Sequence, residues 1–389
     1  MSRKTIILPK GRRARGGSPW IFSNEIRMDA AAKALAPGVI VNVRGEDGRG
    51  FGTGYFNPKS LIAVRLLAEE CDAVIDQSFF AERLARALKL RDSLYDRPFY
   101  RLVHAEGDHL PGLVIDRFGD TLTVQIGTAG MEKQRGPLLA ALDQLLSPAT
   151  VILRGDAPSR ALEGLDSYVE TVKGKGHRIA VEENGARYIA DLTEGQKTGW
   201  YYDQRDNRAF ISQFAKGKSV LDAYSYTGGF GILAAAAGAR ETVCLDSSAP
   251  ALALAEESAR ANNVKIKAVK ADVFEELERL IAAGEKFDIV LADPPPFVKS
   301  KRDLEPGAKA YRKLARLAAQ VTAPNGVLML ASCSHNIPPD RFAAECAQGL
   351  LRAGRSARLI RQAGAGPDHP VHPLLPESAY LKALVYALD

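Results

Sequence analysis

From about residue 217 the apolar positions fall into short continuous runs: "SVLDAY", "TVCLDS", "IKAVKAD", "FDIVLADPP" and "GVLMLASCS". Runs of this length, rich in β-branched residues, predict strands. Between them "GFGILAAAAGAR", "APALALAEESARANN" and "KAYRKLARLAAQV" space their apolar residues as helices do. Strict alternation of strand and helix predicts right-handed βαβ units, and so an α/β fold on a parallel sheet covered by helices. After "RFAAECAQGLLRAG", the segments "SARLIRQAG" and "SAYLKALVYAL" predict two edge strands that close the sheet.

Upstream the pattern is different. Residues 1–72 alternate short β-like runs ("GVIVNV", "GRGFGTGYF", "LIAVRLL") with Gly and Asn-Pro turn signals, interrupted by a brief helix around Ser23 to Ala34. They predict a small β-rich domain. Residues 73–188 predict an α+β domain. A helix runs from Phe79 to about Ser93, a hairpin turns at "FGDT", "EKQRGPLLAALDQLL" forms a second helix, and "HRIAVEENGARYIADL" is β-like. Residues 189–389 form the third predicted domain, in which "EGQKTGWYYDQRDNR" reads as a loop entering a helix ahead of the sheet.

Composition narrows the class. The chain has 389 residues, 46% apolar and 25% charged, ordinary values for a globular protein with a sizeable core. No apolar run approaches the roughly 20 residues of a membrane span, and no signal-peptide pattern opens the chain. Cys71, Cys244, Cys333 and Cys346 are scattered without a C-x-x-C pair. That usage fits a reducing compartment, so a cytoplasmic location, and excludes a cysteine-rich zinc site. His369 and His372 sit in the proline-rich "GPDHPVHPLLP" with no third ligand nearby, and no metal site is expected.

The formal net charge is +6, and it is local. Residues 1–70 hold 12 basic against 6 acidic side chains, which leaves 40 of the 52 basic and 40 of the 46 acidic residues for the rest. The first twenty residues carry six basic side chains and no acid. A basic region on a neutral body suits a polyanion, with Arg12, Arg13 and Arg15 as candidate phosphate contacts. A solvated tail would look the same.

Chemistry-bearing residues gather at strand ends. "DAYSYTGGFGILAAAA" places a glycine-rich turn between the first strand and a helix, where backbone and helix N-terminus approach a ligand. "GFGILA" also satisfies G-x-G-x-x-A, so a dinucleotide has to be weighed. Four acids decide between ligands. Asp222, Asp246, Asp272 and Asp293 close four successive strands, and carboxylates ring a cationic sulfonium ligand better than an anionic pyrophosphate. Asp222 is placed to accept from a ligand ammonium, Asp246 from ribose hydroxyls, and Asp272 from an adenine amino group. Tyr226, Gly228, Gly229, Ser247 and Val273 flank them. Taken singly, each acid reads equally well as a turn or N-cap residue. Cys333 ends the fifth strand between two serines, beside the strand that delivers Asp293, while Cys244 and Cys346 lie inside apolar runs as core residues. The prolines after Asp293 fix a stiff corner. His335 follows Cys333 by two residues.

The segments "DAYSYTGGF", "DPPPFVKS", "ASCSHN" and "EGQKTGWYYDQRDNR" together resemble the bacterial large-subunit (23S) ribosomal RNA cytosine-5 methyltransferases of the RlmI type. "KGRRARGGSPWIFSNEI" resembles that family's PUA-type RNA-binding domain, and "EGDHLPGLVIDRFGD" its accessory domain. The resemblance implies a class I, Rossmann-like methyltransferase domain, S-adenosylmethionine as cofactor, and 23S rRNA or an assembling large subunit as partner. A homodimer is compatible with it. It further implies Cys333 as the nucleophile toward C6 of cytosine, which makes C5 able to accept a methyl group, and Asp293 as the residue holding the base edge. Gln196 and Arg205 are implied at the cofactor, with Lys197 also free to reach RNA phosphate. An Asp203–Arg205–Arg208 surface network is the alternative for that segment. Two departures stand out: the D-P-P region lacks a second cysteine, and Ser18 stands where many relatives have His. Methylation of guanine or an exocyclic amine, which needs no cysteine, and RNA binding without catalysis are the competing readings.

Overall fold

A computed structural model of the chain describes residues 3–11, 16–195 and 198–389. It divides into two compact units. The first comprises Met1–His177, Leu192–Trp200 and Pro367–Ser378. Two five-stranded sheets build it. In one, strands Thr5–Leu8, Val39–Gly45, Gly50–Phe56, Val64–Ala68 and Trp20–Ile21 lie side by side in that order around Ile6, Val41, Val43 and Phe56. In the other, Tyr168–Lys173, Thr150–Gly155, Thr121–Ile126, Leu113–Phe118 and Phe99–His104 follow one another, packed with the helices Gln77–Leu94 and Arg135–Leu146. The "FGDT" hairpin forms as expected, pairing Phe118 with Thr121.

The reason for one unit lies in shared polar and close backbone contacts. Tyr55 of the first sheet donates to the Pro111 carbonyl at 2.8 Å, and Asn57 and Ser60 both donate to the Glu163 carboxylate at 2.9 Å. Gly130 leaves room for the Tyr55 ring, since a Cβ there would lie 1.9 Å from it. The expected helix from Ser23 to Ala34 is split into a 3₁₀ turn, Ser23–Glu25, and a single helical turn, Ala30–Lys33. Asp29 starts the latter afresh by accepting from the Ala32 N–H.

Two short stretches near residue 190 pack with units other than those of their chain neighbours. Leu192–Trp200 belongs with the first unit because buried Arg154 donates to the Leu192 and Gly195 carbonyls, each at 2.8 Å. The hairpin of Arg178–Glu183 and Ala186–Asp191 belongs instead to the second unit, which comprises Arg178–Asp191, Tyr201–Gly366 and Ala379–Asp389. Its Asn184–Gly185 turn has positive φ at both residues. Its Ile189 N–H donates to the Ser258 hydroxyl of a neighbouring helix.

The second unit is a seven-stranded sheet of β1 (Ser219–Ala223), β2 (Glu241–Asp246), β3 (Lys267–Lys270), β4 (Phe287–Ala292), β5 (Thr322–Ser332), β6 (Ala357–Ala363) and β7 (Lys382–Leu388). The order is β3-β2-β1-β4-β5-β7-β6. β1 to β5 pair in parallel, and β7 runs antiparallel to both β5 and β6. The helices are α1 (Arg205–Ser212), α2 (Gly229–Ala236), α3 (Ala249–Ala261), α4 (Val273–Ala282), α5 (Leu304–Val321) and α6 (Pro339–Arg352). One core gathers α4, α5 and α6 on the sheet through Leu277, Tyr311, Leu314 and Phe342, and another gathers α1 and α2 through Ile211 and Phe230.

Only one of the two closing strands is an edge. β7, "KALVYAL", is buried along most of its length and inserts between β5 and β6, whereas β6, "ARLIRQA", is largely exposed and takes the margin. Charged side chains suit the unpaired side of a sheet; a nearly continuous apolar run does not. No helix among the described residues is long and apolar enough to cross a membrane.

Candidate active site

The reversal of strand order around β1 and β4 opens a crevice at the carboxyl ends of the parallel strands, where ligands bind in open α/β sheets. The chain leaves β1 through Asp222 and turns with Tyr224, Tyr226 and Gly228 all at positive φ. Two non-glycine residues held in that region mark a turn fixed by its surroundings. The fixing contacts are visible: Ser225 N–H donates to the Leu245 carbonyl, and Tyr226 N–H to the Asp246 carboxylate at 2.9 Å. Gly228, from which α2 starts, packs so closely on Ala255 and Ile232 that a Cβ would meet both at about 3 Å.

The four strand-end carboxylates are not alike. Asp222 is fully buried, its Oδ2 accepting from Gly231 N–H at 2.8 Å. Burial first, and then the charges of Asp293 and Asp246, push its pKa up to about 7 from an ordinary 3.8. Asp246 is half-buried and accepts the N–H groups of Tyr226 and Ser248. Asp272 is exposed and caps α4, with Oδ1 accepting from Phe274 and Glu275 N–H. Asp293 is half-buried, and its Oδ2 accepts from the Gln204 side-chain amide at 2.8 Å. Of the flanking candidates, Ser247 is exposed, while Gly229 and Val273 are buried at the starts of α2 and α4.

Cys333 follows β5 between Ser332 and Ser334, both fully buried. The Tyr311 hydroxyl of α5 bonds to both serines at 2.8 Å and accepts from Phe297 N–H, and the Ser334 hydroxyl accepts from Val298 N–H. The cysteine turn is thereby tied to the "DPPPFV" corner that follows Asp293. Tyr201 reports the same neighbourhood. Its phenol is held far above the ordinary range by burial, and then by Tyr226, Asp203, Cys333 and Asp293. Cys244 and Cys346 are buried in the core, where burial raises both thiols.

The segment before α1 differs from expectation. Arg205 and Arg208 do not form a surface network with Asp203. Both are buried on Glu183, Arg208 at 2.7 Å and Arg205 at 3.4 Å, and Arg205 lies over the Tyr202 ring. Arg208 also donates to the Tyr201 carbonyl, and Asp203 accepts from the Tyr380 hydroxyl at 2.5 Å. Arg205 thereby helps to hold this segment on the hairpin. His335 is exposed, its ring 5.3 Å from that of Tyr380. His369 and His372 lie in the first unit against His104 and His109. No group of three or more His, Cys, Asp or Glu able to hold a metal ion occurs among the described residues. Ser18 is buried and accepts from Trp20 N–H. Gln196, Lys197, Arg12, Arg13 and Arg15 lie outside the described residues.

Sequence reading missed Gln204, Tyr201, Tyr311 and Lys382. Gln204 and Tyr201 stand inside a motif that drew attention to its charged residues. Nothing in the spacing marks Tyr311 or Lys382, which reach the Cys333 turn from α5 and β7.

The residues present fit a cationic cofactor. The charges of Asp293 and Asp246 add to burial in raising the proton affinity of Asp222, and the buried Ser225 and Thr227 hydroxyls of the turn have no partner among the described residues. A positively charged group relieves the first strain; a pyrophosphate worsens it.

Fold and site together define a class I methyltransferase domain that uses S-adenosylmethionine. Consistent with this, the family described as S-adenosylmethionine-dependent methyltransferase matches residues 159–387, and the PUA-like domain family matches residues 9–69. Ribosomal RNA large subunit methyltransferase I of Aeromonas salmonicida is 38% identical over 390 residues, covering 98% of each chain. That of Shewanella frigidimarina is 38% identical over 375 residues, covering 94% of each. A putative methyltransferase solved as a complex with SAH shares the fold with a TM-score of 0.84 at 21% identity, covering 99% of this chain and 100% of that one. The chain belongs to the ribosomal RNA large subunit methyltransferase I family.

Proposed function

We propose that this protein methylates C5 of a cytosine in 23S rRNA, free or in an assembling large subunit, in the cytoplasm. The relatives' printed name supports the RNA, and the neighbouring strand ends that carry Cys333 and Asp293 support the chemistry. The cofactor supplies an electrophilic methyl group. Asp222, Asp246 and Asp272, with Tyr226, Gly228, Gly229, Ser247 and Val273, hold it across the crevice, Asp222 toward its ammonium and Asp246 toward its ribose. Gln196 and Lys197 are assigned to the cofactor and RNA sides of the loop before α1, and Arg12, Arg13 and Arg15 to RNA phosphate in the PUA-like domain.

Asp293 holds the N3/N4 edge of a flipped-out cytosine against the proline corner. Cys333 adds as thiolate to C6, the electron pair moves to C5, and C5 takes the methyl group. A base then removes the C5 proton, the C5–C6 double bond re-forms, and the sulfur–C6 bond breaks. Gln204 keeps Asp293 fixed through these steps.

The deciding experiment uses rRNA transcripts carrying 5-fluorocytosine. Wild type should form an adduct that survives denaturing electrophoresis, because fluorine does not leave C5 as a proton does. Cys333→Ala should bind S-adenosylhomocysteine normally yet form no adduct and no product. Substantial methylation by that variant would replace this reading with methylation of guanine or an exocyclic amine.

A further inference from the structure

Sheet topology brings Lys382 to the Cys333 turn. It opens β7 and pairs in register with Ser332, the last residue of β5. Its ammonium donates to the Ser334 carbonyl at 2.6 Å and to the Ile337 carbonyl at 3.2 Å. Both acceptors lie in the turn that Cys333 begins. No carboxylate pairs with Lys382 among the described residues, although its side chain is half-buried. Burying an ammonium against neutral carbonyls is costly unless a negative charge accompanies it.

Such a charge is at hand. Burial lowers the Lys382 pKa to about 8, and the charge of Cys333 acts in the opposite sense, raising it. Interaction between two sites is reciprocal: whatever the thiolate does for the ammonium, the ammonium does for the thiolate. The phenols near Cys333 do not supply this. Tyr311 from α5 and Tyr201 from the segment before α1 are phenols whose pKa values are raised, so they stay neutral. Asp293, after β4, carries charge of the same sign as a thiolate. His335 stands two residues on, exposed and set against Tyr380.

We infer that Lys382 is a positioning residue for the covalent step, holding the turn at Ser334 and Ile337 while its positive charge favours the thiolate of Cys333. The inference rests on Cys333 being the nucleophile.

The test titrates the thiol itself. In the full-length protein, alkylation of Cys333 by iodoacetamide is followed by peptide mass spectrometry across pH 6 to 10 for wild type, Lys382→Gln and Lys382→Arg. Glutamine keeps a donor for the carbonyls and removes the charge. Its midpoint should lie about one pH unit above wild type, with kcat for methylation lowered and the KM for cofactor unchanged. Lys382→Arg should titrate near wild type. A Lys382→Gln protein that binds S-adenosylhomocysteine and titrates with the wild-type midpoint overturns the inference. Should the glutamine variant lose that binding, the arginine variant decides, and a midpoint above wild type in it is equally fatal. Because the thiol is read without methylation, this outcome is distinguishable from failure of the cytosine-5 reading, which methylation by Cys333→Ala would reveal.

Discussion

The Gln204 side-chain amide donates to the Asp293 carboxylate at 2.8 Å, and the Asn207 amide donates in turn to the Gln204 carbonyl oxygen at 2.7 Å. The residue after β4 is thus oriented from α1. That helix is itself held by the Arg208–Glu183 ion pair to a hairpin outside the sheet.

Replacing Gln204 with Leu should therefore lower kcat/KM for RNA while sparing the cofactor site. Loss of a hydrogen bond to a charged group costs about 1.5–3 kcal/mol, or about 10- to 150-fold in rate. S-adenosylhomocysteine affinity by calorimetry should stay within about twofold. A rate within about twofold of wild type would separate Gln204 from the chemistry.

Asp222 sets a pH dependence. Folding raises its pKa from 3.8 to about 7, so the unfolded chain releases this proton first. Stability of the unliganded protein should fall between about pH 4 and 7 and level off above, by an amount on the order of 4 kcal/mol. Binding runs the other way. A ligand ammonium needs the ionised carboxylate, so affinity should rise by up to about tenfold per pH unit to pH 7 and then flatten. Asp222→Asn should remove both trends, raising the melting temperature of unliganded protein at pH 8 and weakening S-adenosylhomocysteine binding. Calorimetry showing pH-independent binding from 5.5 to 7 in wild type would contradict the ammonium assignment.

Tyr311→Phe should loosen the cysteine turn. The hydroxyl serves Ser332, Ser334 and the Phe297 N–H, all inside the protein, and its loss leaves buried hydroxyls short of a partner. Destabilisation of about 1–3 kcal/mol is expected in urea unfolding, together with slower methylation. An unchanged denaturation midpoint would mean that the serines repair their hydrogen bonds locally.

The basic N-terminal region is best tested by substitution. Removing residues 1–70 would strip Glu106 of Arg65 and Trp20, and Glu163 of Asn57 and Ser60, leaving half-satisfied acids in the first unit. Replacing Arg12, Arg13 and Arg15 with Ala avoids this. If all three meet phosphate, the slope of log K against log salt should decrease by about 2, at roughly 0.7 per single-stranded phosphate. An unaltered slope would identify a solvated segment.

Much of this protein was legible along the chain. β1, β2, β4 and β5 and the helices between them follow from apolar runs alternating with helical periodicity, because a strand buried on both faces leaves no other pattern, whereas β3, "KAVK", lies at the sheet margin and is partly exposed. The four strand-end acids and Cys333 follow from the same periodicity, since the residue after a parallel strand lies at the ligand edge whatever the sequence does next. The order of the last two strands was not legible, because sequence adjacency says nothing about insertion between existing neighbours; burial of "KALVYAL" and exposure of "ARLIRQA" decided it. The charge balance of residues 71–389 likewise hid Glu183, whose two arginine partners lie 22 and 25 positions away. Distances along the chain fixed which residues end each strand, but only the packed structure could put Gln204 on Asp293, Tyr311 between two serines, and Lys382 on the Ser334 carbonyl. Those contacts join residues from 21 to 89 positions apart, and no local periodicity carries such information.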